Sequence, residues 1–313
     1  MRPKERPRAE QLEQALLSYD RTERPLPGIQ DPQMRWVLIE QLIDSLRRTR
    51  YIRLIGERAL SPRRADPNDA LFDPLKAAAL HHRAGDSDEA FWLVFLMIHF
   101  GKHQLGGWRY LREVYGQLGG EARWDWRSTS NDVAGFRAWL GEHQRYIKRS
   151  DAPGGFGHHR KYESLDAASP IGTGAVIESY VDWVLSAGDH DSLITTALDA
   201  NEHDPARTFH YLYQEMSMVR RFGRLARFSY LSLLANLGLA PIQPAIPYME
   251  GATGPLKGAK LLFGTFQNDP KLAGQLDSWL GELGSRLEVG MQVLEDALCN
   301  WQKSPYQFVK YQG

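Results

Sequence analysis

Two glycines three residues apart, Gly251 and Gly254, carry the clearest chemical signal in this chain. They stand in Pro247-Tyr-Met-Glu-Gly-Ala-Thr-Gly-Pro-Leu-Lys-Gly-Ala-Lys-Leu-Leu-Phe-Gly264. Paired glycines let a backbone turn tightly and come close to a ligand. Pro255 suits the first position of a short apolar helix. The leading amides of such a helix, with its dipole, suit a phosphate. Lys257 and Lys260 add positive charge, while Gly258 and Ala259 permit close packing of a second helix. A turn built this way grips a nucleic-acid backbone without reading its sequence. The same residues also suit a plain glycine turn ahead of a buried helix. Upstream, Arg220, Arg224 and Arg227 follow an i, i+4, i+7 spacing, with Arg221 beside them. On one helix they form a narrow stripe, either a phosphate-tracking surface or a solvated charged face.

A second group gathers aromatic and imidazole side chains. His99-Phe100-Gly101-Lys102-His103 ends a strongly apolar segment, where an aromatic ring can stack on a base. His99 and His103 have the spacing of two metal ligands on a helix. Gly101 and Gly106–Gly107 end that helix, and the single cysteine supplies no partner set, so neither a metal nor a cofactor is expected. A long loop, residues 151–173, holds Gly154, Gly155 and Gly157, then His158, His159, Arg160, Lys161, Tyr162 and Glu163. Long loops are usually functional or mobile. This one reads as a basic segment that folds on DNA, or as a merely solvated loop. Glu295, Cys299 and Gln302–Lys303 fall near one helical face, as pocket lining or as a polar seam. No P-loop, dinucleotide fingerprint, serine elbow or kinase set occurs, which argues against nucleotide-driven and serine-hydrolase chemistry.

The elements that position these residues read as helices throughout. Asp31–Pro32, Asp73–Pro74 and Asp204–Pro205 each place a capping acid before a proline. Ser87 reads as a cap followed by Asp88 and Glu89 at the positive end of the dipole. The segment that follows is apolar all round and should be central. Further helices are expected near 9–19, 107–117, 131–144, 174–187, 190–199, 220–237, 255–263, 271–283 and 285–302. No period-2 strand series appears, so the fold class is all-α. The 313 residues, 42% hydrophobic and 24% charged, describe a globular chain with a large core. A boundary near residue 60 is expected, with 1–60 an N-terminal helical extension and 61–313 the main domain. The net charge is zero, yet Pro205–Phe263 holds seven Lys/Arg against two acids. A local basic surface, rather than a polycation, is therefore implied. One cysteine fits a reducing compartment. Met1–Arg8 lacks the apolar core of a signal peptide, and the apolar run Ala90–Ile98 is too short to span a bilayer. A cytoplasmic protein with no membrane association is expected.

Several stretches together resemble the helix–hairpin–helix DNA glycosylase superfamily. The chain is most similar to the branch named for α-glutamyl/putrescinyl thymine pyrophosphorylases, found in phages and bacteria. The stretches are Ser87–His103, Gly157–Leu165, Gly172–Trp183, Arg221–Leu231, the glycine turn above, and Glu295–Pro305, within a resemblance running from about residue 55 onward. It implies a two-lobed helical fold. It also implies a base-excising enzyme that flips out a hypermodified, phage-type pyrimidine and leaves an abasic site, in antiphage defence, with phage DNA as partner. The alternatives are a pyrophosphorylase or transferase on hydroxymethylpyrimidine bases in DNA, and a DNA-binding protein without chemistry. Gly251, Gly254, Lys257, Gly258, Lys260, Arg220, Arg221 and Arg224 are then the DNA contacts. His99, Phe100, Lys102, His103 and His158 to Glu163 are the base pocket. The superfamily carries an aspartate about twenty residues beyond the second glycine. Here that point falls near Gly274, so the catalytic candidates are Asp269 and Asp277, the first also suited to capping a helix. The base, the strand state of the DNA and the oligomeric state are left open.

Overall fold

Aspartates begin many of the helices, for a purely local reason: a short carboxylate can accept the leading amides of a helix. Asp31 accepts from Gln33 and Met34, Asp73 from Lys76, and Asp204 from Ala206 and Arg207. Asp125 and Asp189 do the same for Ser128 and Ser192. At the central helix the cap is Asp86, bonded to the Glu89 amide, one residue ahead of the expected Ser87.

The computed structural model describes residues 1–149, 151–266 and 269–310. Among them run α1 (Arg6–Thr22), α2 (Pro32–Glu57), α3 (Pro74–Arg83), α4 (Ser87–Phe100), α5 (Arg109–Tyr115), α6 (Trp126–Asn131) and α7 (Val133–Arg149). There follow α8 (Thr173–Leu185), α9 (His190–Ala200), α10 (Pro205–Glu215), α11 (Arg224–Leu237), α12 (Gly254–Phe263), α13 (Leu272–Leu287) and α14 (Met291–Trp301). The described residues contain no strand, so the all-α expectation holds. None of these helices is long and apolar enough to cross a membrane. The helix expected over 220–237 begins at Arg224 instead. Arg221 takes a φ of +61° and Gly223 is extended, which breaks the register. Arg220 therefore does not lie on one helical face with Arg224 and Arg227.

The chain divides into two compact units: Met1–Tyr51 with the chain from Pro244 onward, and Ile52–Gln243. In the first, one apolar core joins Leu12, Leu16 and Tyr19 of α1 with Leu38, Ile39 and Leu42 of α2. It also takes in Leu262 of α12, Leu276, Leu280 and Leu283 of α13, and Leu294, Leu298 and Trp301 of α14. The two ends of the chain thus share a core, closed by Trp301 Nε1 donating to the Met34 carbonyl at 3.0 Å. In the second unit α4 is the axis. Ala90 to Leu96, His99 and Phe100 are all buried, as an all-round apolar helix requires. Phe95 lies parallel to Tyr180 of α8 at 3.7 Å and stacks on Phe222 at 4.9 Å.

Candidate functional site

In the first unit the glycine turn is built as a surface feature on a rigid base. The Ala252 amide donates to the Met249 carbonyl at 3.0 Å, closing a four-residue turn. Gly251 holds its third position at φ +71°, a conformation open to glycine with little strain. Glu250, Gly251, Thr253 and Lys257 are exposed. Thr253, at the N-cap of α12, makes no side-chain cap, and Pro255 has no amide to satisfy. Beneath the surface, a Cβ on Gly258 would sit 2.3 Å from the Leu298 carbonyl oxygen, and one on Gly254 2.6 Å from Cys299 Sγ. These two glycines, one turn apart, let α12 lie flush on α14. Lys260 is half-buried in the last turn of α12, where its charge complements the negative end of the dipole.

The two candidate carboxylates have different surroundings. Asp277 of α13 is buried, and both of its oxygens accept the Met249 amide, at 2.9 and 3.1 Å. It supports the turn from below. Asp269 is exposed at the head of α13, with its Oδ1 accepting the Lys271 amide at 2.8 Å and its carbonyl accepting the Leu272 amide at 3.1 Å.

In the second unit the long loop is drawn onto the end of α4. Gly101 ends the helix at φ +62°. The Gly157 amide donates to the Phe100 carbonyl at 2.8 Å, and a Cβ on Gly157 would lie 2.8 Å from the Gly101 backbone. His103 exchanges two backbone hydrogen bonds with Gly107, and its Nδ1 accepts the Gly106 amide. Lys102 is exposed. The loop residues then divide. His158, His159, Lys161 and Tyr162 face solvent. Arg160 and Glu163 turn inward, their side chains 11% and 7% exposed. Arg160 Nε donates to the His99 carbonyl, and Arg221 Nε donates to Glu163 at 3.2 Å. The fold therefore gathers His99, Arg160, Glu163 and Arg221 into one cluster. Of the remaining arginines, Arg220 is exposed and Arg224 reaches over Phe228 at 5.3 Å. Arg227 stacks on Tyr213 and donates to its carbonyl.

The reading of the sequence missed a cavity of about 490 Å³ at the start of α4. Its lining includes Asp86, Asp88, Glu89, Tyr115, Arg123 and Trp126. Glu89 is buried, accepts from Tyr115 Oη at 2.7 Å and from the Trp126 amide at 2.6 Å, and burial pushes its pKa up to about 8. Asp88 accepts from His190 Nδ1 at 2.5 Å, and that bond holds its carboxyl below the usual range. Burial also lowers the fully buried His190, so the ring is neutral. Its Nε2 then accepts from Tyr180 Oη at 2.8 Å, and Tyr180 Oη accepts from Tyr230 Oη at 2.8 Å. A buried chain thus ends in an ionised carboxylate on the cavity wall, beside a protonated one. Two carboxyls held in opposite states can act as acid and base. Locally, Asp88 and Glu89 carried only the signal of first-turn acids. Their partners lie 102 and 26 residues away, out of reach of any local pattern. Among the described residues, no three His, Cys, Asp or Glu are grouped to hold a metal ion.

The family model of the alpha-glutamyl/putrescinyl thymine pyrophosphorylases, clade 3, matches residues 33–313. No curated protein and no solved structure matches the chain.

Proposed function

The chain belongs to clade 3 of the alpha-glutamyl/putrescinyl thymine pyrophosphorylase family, and from that membership we propose that it is an enzyme acting on modified thymine in DNA. On this reading it flips the base from the helix and hydrolyses its N-glycosidic bond, leaving an abasic site. The observation that carries the reading is the turn at Gly251. It stays exposed, with uncapped leading amides and Lys257 beside it, while Gly254 and Gly258 lock the helix behind it. Such a turn suits the gripping of a phosphate, as a helix–hairpin–helix element does. Asp269 is the carboxylate we assign to the chemistry, stabilising positive charge on the sugar and orienting water. Asp277 keeps the turn in shape. Defence against phage DNA carrying hypermodified bases is the setting this activity suits.

The test is incubation of the protein with DNA bearing hypermodified thymines, followed by an assay for abasic sites. Asp269→Asn should lower excision by ~10²–10⁴-fold, the usual worth of a general acid or base, with DNA affinity retained. Absence of abasic product on every such DNA removes the hydrolytic reading. Loss of activity in Asp88→Asn, with Asp269→Asn unaffected, moves the chemistry to the cavity of the second unit.

The family's own name supports a second reading, group transfer at the exocyclic position of the base with pyrophosphate as co-product or co-substrate. It requires the glycosidic bond to survive. Mass spectrometry of nucleosides released from treated DNA separates the two: a new or altered nucleoside supports transfer, and a missing base supports hydrolysis.

A further inference from the structure

The aromatic group at the end of α4 is filled by a ring from the loop that covers it. Phe156 stacks on Phe100 at 5.6 Å with planes 13° apart, and meets His99 and Tyr110 edge-on, each at 5.7 Å. It is the one residue with a side chain in Gly154-Gly155-Phe156-Gly157. Rotation of the Phe156 side chain alone takes the ring from its place while Gly157 stays packed on Gly101.

Two polar atoms in this cluster lack hydrogen bonds although buried. The Thr173 hydroxyl donates to the Ser164 carbonyl at 2.7 Å, so it accepts from His99 Nε2–H at 3.0 Å. That assigns the tautomer and leaves a lone pair on His99 Nδ1, which is buried and unpartnered. Burial, together with the nearby Arg160, holds the imidazole well below the usual histidine range, so Nδ1 stays an acceptor at neutral pH. Arg160 uses Nε on the His99 carbonyl and Nη1 on the Arg221 carbonyl. Its Nη2 is buried without a hydrogen bond, 3.7 Å from the nearest Glu163 oxygen. An acceptor and a donor thus stand unsatisfied on two residues in direct contact, and the first of these residues meets the Phe156 ring edge-on. Native interiors seldom leave such groups unpaired.

We propose that this box is the seat of the flipped thymine ring, which displaces Phe156, stacks on Phe100, gives its N3–H to His99 Nδ1 and accepts from Arg160 Nη2 through a ring carbonyl. The imide edge of thymine alternates carbonyl, N–H and carbonyl, so any adjacent pair on it matches one acceptor and one donor. Phe156 is the stopper that holds the place between Phe100, His99 and Tyr110 until a base arrives, a closed state whose population the ligand shifts. The proposal rests on the reading that the chain acts on modified thymine.

The full-length chain is titrated with free thymine, 5-hydroxymethyluracil and N3-methylthymine, and binding is followed by calorimetry. Thymine and 5-hydroxymethyluracil should bind. N3-methylthymine should bind at least about tenfold more weakly, because a buried hydrogen bond is lost and a methyl is placed against Nδ1. Phe156→Ala should tighten thymine by about tenfold by removing the competitor for the seat. Equal affinity for the N3-methylated base overturns the proposal. So does unchanged thymine affinity in Phe156→Ala, and so does failure of any base to bind either protein. Excision from modified DNA is measured on the same preparations. Selective base binding without excision keeps the seat and removes the hydrolytic reading. Excision with unselective base binding keeps that reading and removes the seat.

Discussion

At the scale of single residues, Asp88 and Glu89 are neighbours in sequence and opposites in charge state. Glu89 lies among Tyr115, Trp126 and the base of α4, where an ionised carboxylate loses its water. Its folded pKa of about 8 lies above the unfolded value of 4.5. The folded form therefore keeps a proton that the unfolded form gives up. The stabilisation is complete below pH 4.5 and is lost as pH rises toward 8. At about 1.4 kcal/mol per unit, the loss is on the order of a few kcal/mol. Glu89→Gln should flatten that decline, since the amide can accept from Trp126 and donate to Tyr115. Thermal unfolding of both proteins across pH 5–8 checks it, and parallel curves would contradict the assignment. Asp277 shows another residue-scale outcome: a carboxylate expected among the catalytic candidates is buried, with both oxygens accepting the Met249 amide.

At the scale of elements, the glycine turn depends on how closely α12 meets α14. Gly258→Ala places a methyl 2.3 Å from the Leu298 carbonyl oxygen, a backbone atom that cannot turn aside. The helices must separate, at ~1–3 kcal/mol by the usual cost of overpacking. Gly251→Ala meets nothing within 4 Å and suffers only from its φ of +71°, about 1–2 kcal/mol. Denaturant unfolding gives both values. The two should differ in kind as well: only Gly258→Ala should also disturb near-ultraviolet circular dichroism, through Trp301 on α14. The loop 151–173 follows the same principle. Gly157 against Gly101 brings it into contact with the end of α4, which is what carries Arg160 and Glu163 inward.

At the scale of the whole molecule, a net charge of zero conceals segregation, because acids are scarce between Pro205 and Phe263, where seven Lys/Arg stand against two acids. Not all of that charge is available. Arg221 is paired with Glu163, and Arg227 with the Tyr213 carbonyl and ring. Lys257 is exposed next to the glycine turn. Lys257→Gln should weaken binding to DNA of every sequence by a similar factor. It should also reduce the slope of log affinity against log salt by about 1, as expected for one phosphate contact. A fluorescence-anisotropy titration at several salt concentrations measures this, and an unchanged slope would remove Lys257 from the interface.

The sequence alone determined what depends on near neighbours. The pairs Asp31–Pro32, Asp73–Pro74 and Asp204–Pro205 opened helices where they stood, the run from Ala90 to Leu96 became the buried axis, and the glycine turn formed ahead of Pro255. Each follows from interactions within a few residues, so the local pattern holds the whole cause. Tertiary structure decided everything joined across the chain. It put Asp277 under Met249, His190 behind Asp88, Arg160 against His99, and both chain ends into one core. It also ended the arginine stripe at Arg224, with Arg221 in a left-handed turn and its side chain paired to Glu163. Burial and long-range pairing set those outcomes, and neither is encoded in the spacing of residues along a helix.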